Sequence, residues 1–259
     1  MSTPHAQPAG ALYLVPNTLD FGTKTPPPDL QDLLPLGVIR TAARLNHWVA
    51  ESAKSTRAFL KRVDAVFPLS TPLQALSIVE LPRPQKGGSQ GAGPSLEPML
   101  APALLGHDVG LISEAGLPAV ADPGSLVVSA AHRTGVRVVA LPGASSMMLA
   151  LAASGLDGQS FAFVGYLPVE SAARAARIRE LDALSRRTGQ TQLMIETPYR
   201  NAALLAALVE QLMPSTRLSV SCGLTARGAF TRTDTVAHWR AASGHLPADV
   251  PTVFSLLAG

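Results

Sequence analysis

Two stretches of the sequence join an apolar strand pattern to a turn of small and polar residues that could hold a small molecule. They are residues 110–124 and residues 136–146, and each runs from an apolar segment into Gly, Pro, Ser or Asp before a helical pattern begins. Open α/β sheets bind ligands at the carboxyl ends of buried strands, where backbone N–H and C=O groups are exposed. The pattern therefore predicts that both turns line one ligand cleft.

A structural interpretation of the same residues stays open at this stage. Asp122 or Ser125 could cap the helix that follows the first turn, and Ser145 or Ser146 could cap the next helix. A nucleophilic serine is disfavoured because the Gly-x-Ser-x-Gly pattern is absent.

The composition indicates a folded chain without the usual cofactor or metal motifs. The 259 residues are 47% hydrophobic and 15% charged, with a formal net charge of +3, which permits an anionic partner without arguing strongly for one. There is no Gly-x-Gly-x-x-Gly fingerprint, no phosphate loop, and no paired spacing among the histidines, so we expect no metal site. The lone Cys222 lies in an apolar run and is predicted to be a buried structural thiol.

The N-terminus and one apolar stretch bear on location. Residues 1–10 lack a cationic and an apolar region, so we interpret them as a disordered tail and not as a signal peptide. Residues 136–156 are about long enough to span a membrane, but Pro142-Gly143 and Ser145-Ser146 interrupt them. We therefore expect a cytoplasmic protein with no membrane partner.

Strand and helix patterns alternate along the chain, which predicts an α/β fold. Further strands are predicted over residues 12–15, 47–50, 74–81, 161–164, 192–195, 218–222 and 252–257, and helices from residue 29 and over 51–63, 171–187, 201–212 and 236–242. Residues 83–95 contain too much Gly and Pro for regular structure and are predicted to form a flexible loop. The spacing favours two domains, at residues 1–150 and 151–259.

Several motifs together resemble the tetrapyrrole methylase superfamily of S-adenosylmethionine-dependent methyltransferases. The most specific is residues 113–124, Ser-Glu-Ala-Gly-Leu-Pro-Ala-Val-Ala-Asp-Pro-Gly. Supporting motifs lie at residues 141–145, 153–156, 165–168, 196–200 and 251–254. Within the superfamily, the pattern is most similar to that of the bacterial small-subunit ribosomal RNA (cytidine-2′-O)-ribose methyltransferase family.

This resemblance implies two α/β domains of the class III methyltransferase type, with S-adenosylmethionine in the cleft between them, in a homodimer that methylates RNA. It also implies cofactor contacts at Pro16, Ser113, Glu114, Ala115, Gly116, Pro118, Ser145, Ser146, Ile195, Thr197, Pro251 and Thr252. A ribose hydroxyl acceptor would benefit from a nearby base. The candidates are Glu51, Glu114 and Asp122, each of which could equally be a solvated or capping carboxylate.

The sequence departs from the family pattern on the acceptor side. Residues 16–20 are Pro-Asn-Thr-Leu-Asp, in place of the Gly-rich first loop of the porphyrin enzymes and the Pro-Ile-Gly-Asn-Leu of the ribosomal RNA enzymes. Two alternatives to an RNA methyltransferase therefore stay open: a methyltransferase of a small molecule such as a tetrapyrrole, and a non-catalytic protein that binds S-adenosylmethionine. RNA phosphates could be contacted by basic residues that otherwise form a solvated face, namely Arg57, Lys61, Arg62, Arg174, Arg177, Arg179, Arg186 and Arg187.

Overall fold

The computed structural model of the chain describes residues 9–19, 27–82, 95–242 and 246–259. The predicted disordered tail and the predicted flexible loop at 83–95 fall mostly outside these ranges. The described residues divide into two compact units, of which the first holds residues 9–19 and 29–144 and the second holds residues 27–28, 145–242 and 246–259.

The first unit is built around a parallel sheet of short strands. The strands are β1 (Ala11–Leu14), β2 (His47–Ala50), β3 (Ser77–Glu80), β4 (Val109–Ile112) and β5 (Arg137–Ala140), in the spatial order β3-β2-β4-β1-β5. All of the strand pairs are parallel. The helices are α1 (Leu30–Leu33), α2 (Leu36–Arg44), α3 (Ala53–Val66), α4 (Ala101–Leu104) and α5 (Ser125–Arg133). Strand β4 is buried along its whole length and β1 over its first two residues. Both strands are therefore apolar throughout and do not alternate between apolar and polar residues.

Hydrophobic clusters cover both faces of this sheet. Trp48 and Val49 are neighbours on β2 and belong to different clusters, as the alternation of side chains along a strand requires. The indole of Trp48 is buried, and its Nε1 donates a 3.0 Å hydrogen bond to the carbonyl oxygen of Leu45. It lies against Gly110 of β4, where an added Cβ would be 2.7 Å from the ring. Glycine at this position therefore makes room for the tryptophan.

The second unit contains a mixed sheet. Its strands are β6 (Phe161–Tyr166), β7 (Thr191–Glu196), β8 (Arg217–Cys222), β9 (Phe230–Thr235) and β10 (Thr252–Leu257), in the order β6-β7-β10-β8-β9. The β6–β7 pair is parallel, whereas β10 is antiparallel to β7 and β8, and β8 is antiparallel to β9. The helices are α6 (Ser146–Ser154), α7 (Ser171–Thr188), α8 (Asn201–Gln211) and α9 (Val236–Ala241).

Helices α7, α8 and α9 supply the main apolar core of the second unit. Met194 and Phe254 from the sheet pack into this core with Trp239, whose Nε1 donates a 2.9 Å hydrogen bond to the carbonyl oxygen of Leu218. Leu193, which neighbours Met194, packs instead with Met147 of α6. Helix α6 thus covers the opposite face of the sheet. Cys222 is buried and free, as predicted.

The prediction of two α/β sheets with helices is confirmed, with differences in detail. The strand predicted over residues 74–81 begins instead as a 3₁₀ helix (Leu73–Ala75), and only Ser77–Glu80 is extended. The helix predicted from residue 29 is divided into α1 and α2, and helix α4 and strand β9 were not predicted. The domain boundary predicted at residue 150 falls inside α6, whose residues belong to the second unit, and the division at that residue stays a prediction. Within the described ranges, no helix has the length and apolarity needed to cross a membrane.

Candidate functional site

In the first unit, the loops that follow β1, β2, β4 and β5 lie at the edge of the sheet that the carboxyl ends of these parallel strands form. Backbone hydrogen bonds continue the strands into these loops: Val15 N–H donates to Leu111 C=O at 2.9 Å, and Glu51 N–H donates to Ile112 C=O at 3.1 Å. Leu141 N–H donates to Leu14 C=O at 3.2 Å. The two turns that the sequence singles out, after β4 and β5, therefore both begin at this edge.

Asn17 fastens the loop after β1 to the loop after β4. Its Nδ2 donates hydrogen bonds of 3.1 Å and 3.0 Å to the carbonyl oxygens of Ser113 and Glu114. Its backbone N–H donates to the carbonyl oxygen of Gly116 at 2.9 Å, and its Oδ1 accepts from the N–H of Thr18 at 2.9 Å. Asn17 is buried, so these bonds replace water at both ends of the amide.

Asn17 was not among the predicted site residues. Its contacts reach residues almost a hundred positions away, which no local pattern encodes. A local signal was present, since an Asn-Thr pair directly after an apolar strand and a proline is typical of a side chain that bonds its own turn.

The loop after β4 contains an unusual number of left-handed backbone conformations. Gly116 has φ +68°, which suits glycine, but Ala119 and Ala121 have φ +67° and +64°. An L-residue with a Cβ pays roughly 1–2 kcal/mol in this region. Strained residues of this kind persist where the surrounding structure holds them, and they cluster at ligand sites and switch regions.

The three candidate carboxylates are brought together at this loop. Glu51 Oε2 accepts a 3.0 Å hydrogen bond from the backbone N–H of Glu114. Burial, the charge of Glu51 and, to a smaller extent, that of Glu114 raise the pKa of Asp122 from 3.8 to about 6, against an opposing hydrogen-bond effect of Ser113. Burial and the charge of Glu51 also raise the pKa of Glu114. The loop therefore concentrates negative charge that a positively charged ligand would relieve.

The remaining predicted residues of the first unit also lie in these loops. Ser113 is buried and its hydroxyl donates to the carbonyl oxygen of Ala115 at 3.1 Å. Pro16 and Pro118 are buried. Gly143 packs directly on Pro16, because a Cβ added at Gly143 would be 2.3 Å from the Cβ of Pro16.

The capping interpretation of these turns is not supported. Gly124 is the residue that precedes α5, and no side chain caps that helix, so neither Asp122 nor Ser125 acts as its cap. Ser145 does occupy the N-cap position of α6, but its hydroxyl makes no capping hydrogen bond. Ser146 is the first residue of that helix.

In the second unit, the predicted residues of β7 and β10 meet at one end of the sheet. Ile195 pairs with Val253, and Thr252 lies opposite Glu196 in the antiparallel ladder. The N–H of Thr197 donates to Glu196 Oε1 at 2.8 Å. The register thus brings the segments containing Ile195, Thr197, Pro251 and Thr252 together.

Two further polar residues of this end were missed by the sequence interpretation. Asn201 is fully buried, and its Nδ2 donates to the carbonyl oxygen of Val250 at 3.0 Å while its Oδ1 has no hydrogen-bond partner among the described residues. Thr225 has φ +69° and a buried hydroxyl that is likewise unpartnered within the described ranges. Its loop is tied to the same segment, since Gly223 N–H donates to Pro251 C=O at 2.9 Å. Buried polar atoms of this kind call for a water or a ligand as partner.

The described residues contain no group of three or more His, Cys, Asp or Glu side chains that could hold a metal ion. Of the basic residues considered for RNA contacts, Arg62 donates to Thr18 Oγ1 at 3.1 Å, whereas Arg57 is exposed on α3.

Two curated relatives carry the name ribosomal RNA small subunit methyltransferase I. The protein from Mesorhizobium japonicum is 39% identical over 161 residues, which are 62% of this chain and 51% of that protein. The protein from Xylella fastidiosa is 32% identical over 222 residues, which are 85% of this chain and 68% of that protein. The chain therefore spans about half the length of the first relative and about two thirds of the second.

Solved structures share the fold at lower identity. Uroporphyrin-III-C-methyltransferase from Thermus thermophilus aligns with a TM-score of 0.51 and 20% identity, covering 96% of this chain and 94% of that chain. The methyltransferase CobJ aligns with a TM-score of 0.55 and 16% identity, covering 97% of this chain and 100% of that chain.

The family model described as tetrapyrrole (corrin/porphyrin) methylases matches residues 28–239, which is most of the sequence. The match extends over strands of both sheets and contains the whole loop after β4. The chain therefore belongs to the tetrapyrrole (corrin/porphyrin) methylase family.

Proposed function

We propose that the chain is an S-adenosylmethionine-dependent methyltransferase that acts on RNA, with a ribose 2′-hydroxyl of ribosomal RNA as the acceptor. The observation that carries the proposal is the 32% identity over 85% of the chain to a protein named as a ribosomal RNA methyltransferase. The most specific shared motif, residues 113–124, is also the loop that Asn17 and Glu51 hold in place.

The residues of the first unit fit the cofactor chemically. S-adenosylmethionine supplies an electrophilic methyl group and carries positive charge at its sulfonium and ammonium groups. The carboxylates of Glu51, Glu114 and Asp122 would offset that charge. The turns after β1, β4 and β5 present small residues and backbone polar groups, of the kind that bind an adenosine without a strong charge partner. In the second unit, the unpartnered Oδ1 of Asn201 could accept from a ligand N–H.

Two of the three carboxylates have separate parts in this proposal. Glu51 holds the backbone of Glu114 and is a positioning residue. Asp122 is the proposed proton acceptor, because a pKa of about 6 leaves it ionised yet basic near neutral pH. S-adenosylmethionine would supply the electrophilic methyl group and leave as S-adenosylhomocysteine, and the Asp122 carboxylate would take the proton that the acceptor hydroxyl loses. The rest of the rate enhancement would come from alignment of donor and acceptor.

The predicted homodimer and a cytoplasmic location are parts of the same proposal. The family resemblance supports the homodimer, which size-exclusion chromatography with light scattering measures. The relatives named as ribosomal RNA methyltransferases support the location.

Isothermal titration with S-adenosylmethionine and S-adenosylhomocysteine tests the cofactor. We expect stoichiometric binding to the wild-type chain and at least tenfold weaker binding to Gly116→Val, because Gly116 has φ +68° and a β-branched residue resists that conformation. Gly158→Ala is the control, since nothing lies within 4 Å of a Cβ there. Absence of heat for the wild type at millimolar ligand would overturn the proposal.

Transfer of labelled methyl groups tests the acceptor. The substrate is ribosomal RNA from a strain that lacks the corresponding methylation, and the labelled nucleotide is mapped afterwards. Label on a ribose supports the proposal. Label on a tetrapyrrole with none on RNA would support the small-molecule alternative, and cofactor binding without any transfer would support a binding-only protein.

A further inference from the structure

A basic pocket opens on the second unit where α7 passes the end of α8. It has a volume of about 460 Å³, and its wall includes Arg179, Arg186 and Arg187 from α7 and Gln211 from α8. Ala183 lies between the arginines. Because alanine is small, the space between the guanidinium groups is left open.

The spacing along α7 places these residues on one stripe of the helix. Arg179, Ala183 and Arg186 are at positions i, i+4 and i+7, which share a helix face. At 1.5 Å per residue, the backbone positions of Arg179 and Arg186 are about 10 Å apart along the axis. An extended polyanion could therefore contact both ends of this stripe.

The pocket carries an excess of positive charge. Arg179 donates to the neutral side-chain amide oxygen of Gln211, so its charge is not offset. Among the described residues of the wall, Asp182 supplies the only carboxylate; it is buried, accepts from Thr216 Oγ1 at 2.5 Å, and lies 3.6 Å from the Arg186 guanidinium. Arg186 Nη1 also donates to the oxygen of Gly259, so the charges that no carboxylate offsets are those of Arg179 and Arg187. Arg187 forms no ion pair among the described residues.

Helix stability explains two of the three arginines but not the third. Arg186 and Arg187 are in the last turn of α7, where cations stabilise the helix dipole. Arg179 is in the middle of the helix and gains nothing from that effect. Arg177 gives a contrast on the same helix, because it forms a 2.7 Å ion pair with Glu180 and lies outside the pocket.

We propose that this pocket binds the sugar–phosphate backbone of the RNA acceptor, with Arg179 at one end and Arg186 and Arg187 at the other. The planar donor fork of arginine matches phosphate oxygens, and contacts of this kind position an RNA without reading its sequence. The inference rests on the proposed function, which supplies RNA as the partner.

Fluorescence anisotropy with a labelled single-stranded oligoribonucleotide, measured over a range of salt concentrations, tests the pocket. The double variant Arg179→Ala/Arg187→Ala is expected to weaken binding at least several-fold. The plot of log K against log salt should also become less steep by about 1.4, or ~0.7 per lost phosphate contact. Ala183→Glu is expected to weaken binding as well, because it adds a carboxylate while keeping every arginine. Arg40→Ala/Arg137→Ala, which also removes two positive charges but from exposed positions outside the pocket, is the control and should bind within twofold of wild type.

The outcomes separate the pocket from the proposed function. Weaker RNA binding by both pocket variants, with cofactor binding and unfolding unchanged, supports the pocket. Unchanged RNA binding by both variants overturns it and leaves methyl transfer to RNA standing. A wild-type chain that binds cofactor but no RNA overturns the pocket and the RNA acceptor together, while the methyltransferase assignment survives.

Discussion

Asn17 donates a 3.1 Å hydrogen bond to the carbonyl oxygen of Ser113 and so ties the first loop of the chain to the loop that carries the family motif. The same Nδ2 also binds the carbonyl oxygen of Glu114. Removal of this amide would leave buried carbonyl groups without donors.

We expect Asn17→Ala to lower the free energy of unfolding by roughly 2–4 kcal/mol and to weaken S-adenosylmethionine binding. Urea unfolding and calorimetry measure the two effects. Asn46→Ala is the control, because Asn46 is exposed and contacts Ser70, and it should change stability by less than about 1 kcal/mol. Equal effects of the two substitutions would contradict the role of Asn17.

Glu51 combines a hydrogen bond with a charge, and two substitutions separate them. Glu51→Gln keeps an oxygen that can accept from the Glu114 N–H, whereas Glu51→Ala does not. Both remove the charge that raises the pKa of Asp122. We expect the Asp122 pKa, followed by carbon-detected NMR titration, to fall in both variants, and stability to be about 1 kcal/mol lower in Glu51→Ala than in Glu51→Gln. An unshifted Asp122 titration would show that the two carboxylates do not interact.

Asp122 makes stability depend on pH in a defined direction. Its folded pKa of about 6 exceeds the ordinary 3.8, so the neutral form favours the fold. That contribution is fully present below about pH 4 and is lost as the pH rises through about 6. An Asp122→Asn variant stays neutral, so its unfolding free energy relative to wild type should rise between these pH values and level off above them. Asp29→Asn, at an exposed position, is the control and should show no such rise in denaturant titrations at each pH.

The left-handed backbone at Ala121 predicts that replacement by glycine stabilises the fold, whereas the same replacement within a helix destabilises it. At Ala121, with φ +64°, glycine removes a conformational cost of roughly 1–2 kcal/mol. Part of this stabilisation is lost because glycine has more conformational entropy than alanine in the unfolded chain. We expect Ala121→Gly to raise the free energy of unfolding by about 0.5–1 kcal/mol. Ala176→Gly, at an exposed position within α7, should lower it by about 1 kcal/mol. Destabilisation by both substitutions would mean that the loop does not hold Ala121 in this conformation.

The fold was predictable where local pattern reflects burial. The apolar run of β2 (His47–Ala50) was assigned correctly because most of the strand is buried. Helix α7 was assigned correctly from its composition, since Ala, Arg and Leu favour helices. Strand β9 was not, since Phe230–Thr235 is an edge strand in which Thr, Arg and Asp occupy five of the six positions. Pairing with β8 makes that segment extended, and its own composition does not.

The candidate site was predictable only in part. The loop at 113–118 could be found because its residues form a contiguous motif. The bond between Glu51 and Glu114 joins residues 63 positions apart, and the orphaned oxygen of Asn201 depends on how its neighbours pack. Such relationships depend on tertiary structure, so spacing along the chain could not reveal them.

Each unit of this chain contains one of its two tryptophans, Trp48 in the first and Trp239 in the second, and both are buried. The chain therefore carries an intrinsic fluorophore in each unit. In Trp48→Phe and Trp239→Phe, the tryptophan emission comes from one unit alone. The wavelength and intensity of that emission then follow denaturant unfolding of each unit separately, with and without ligand and without an attached dye.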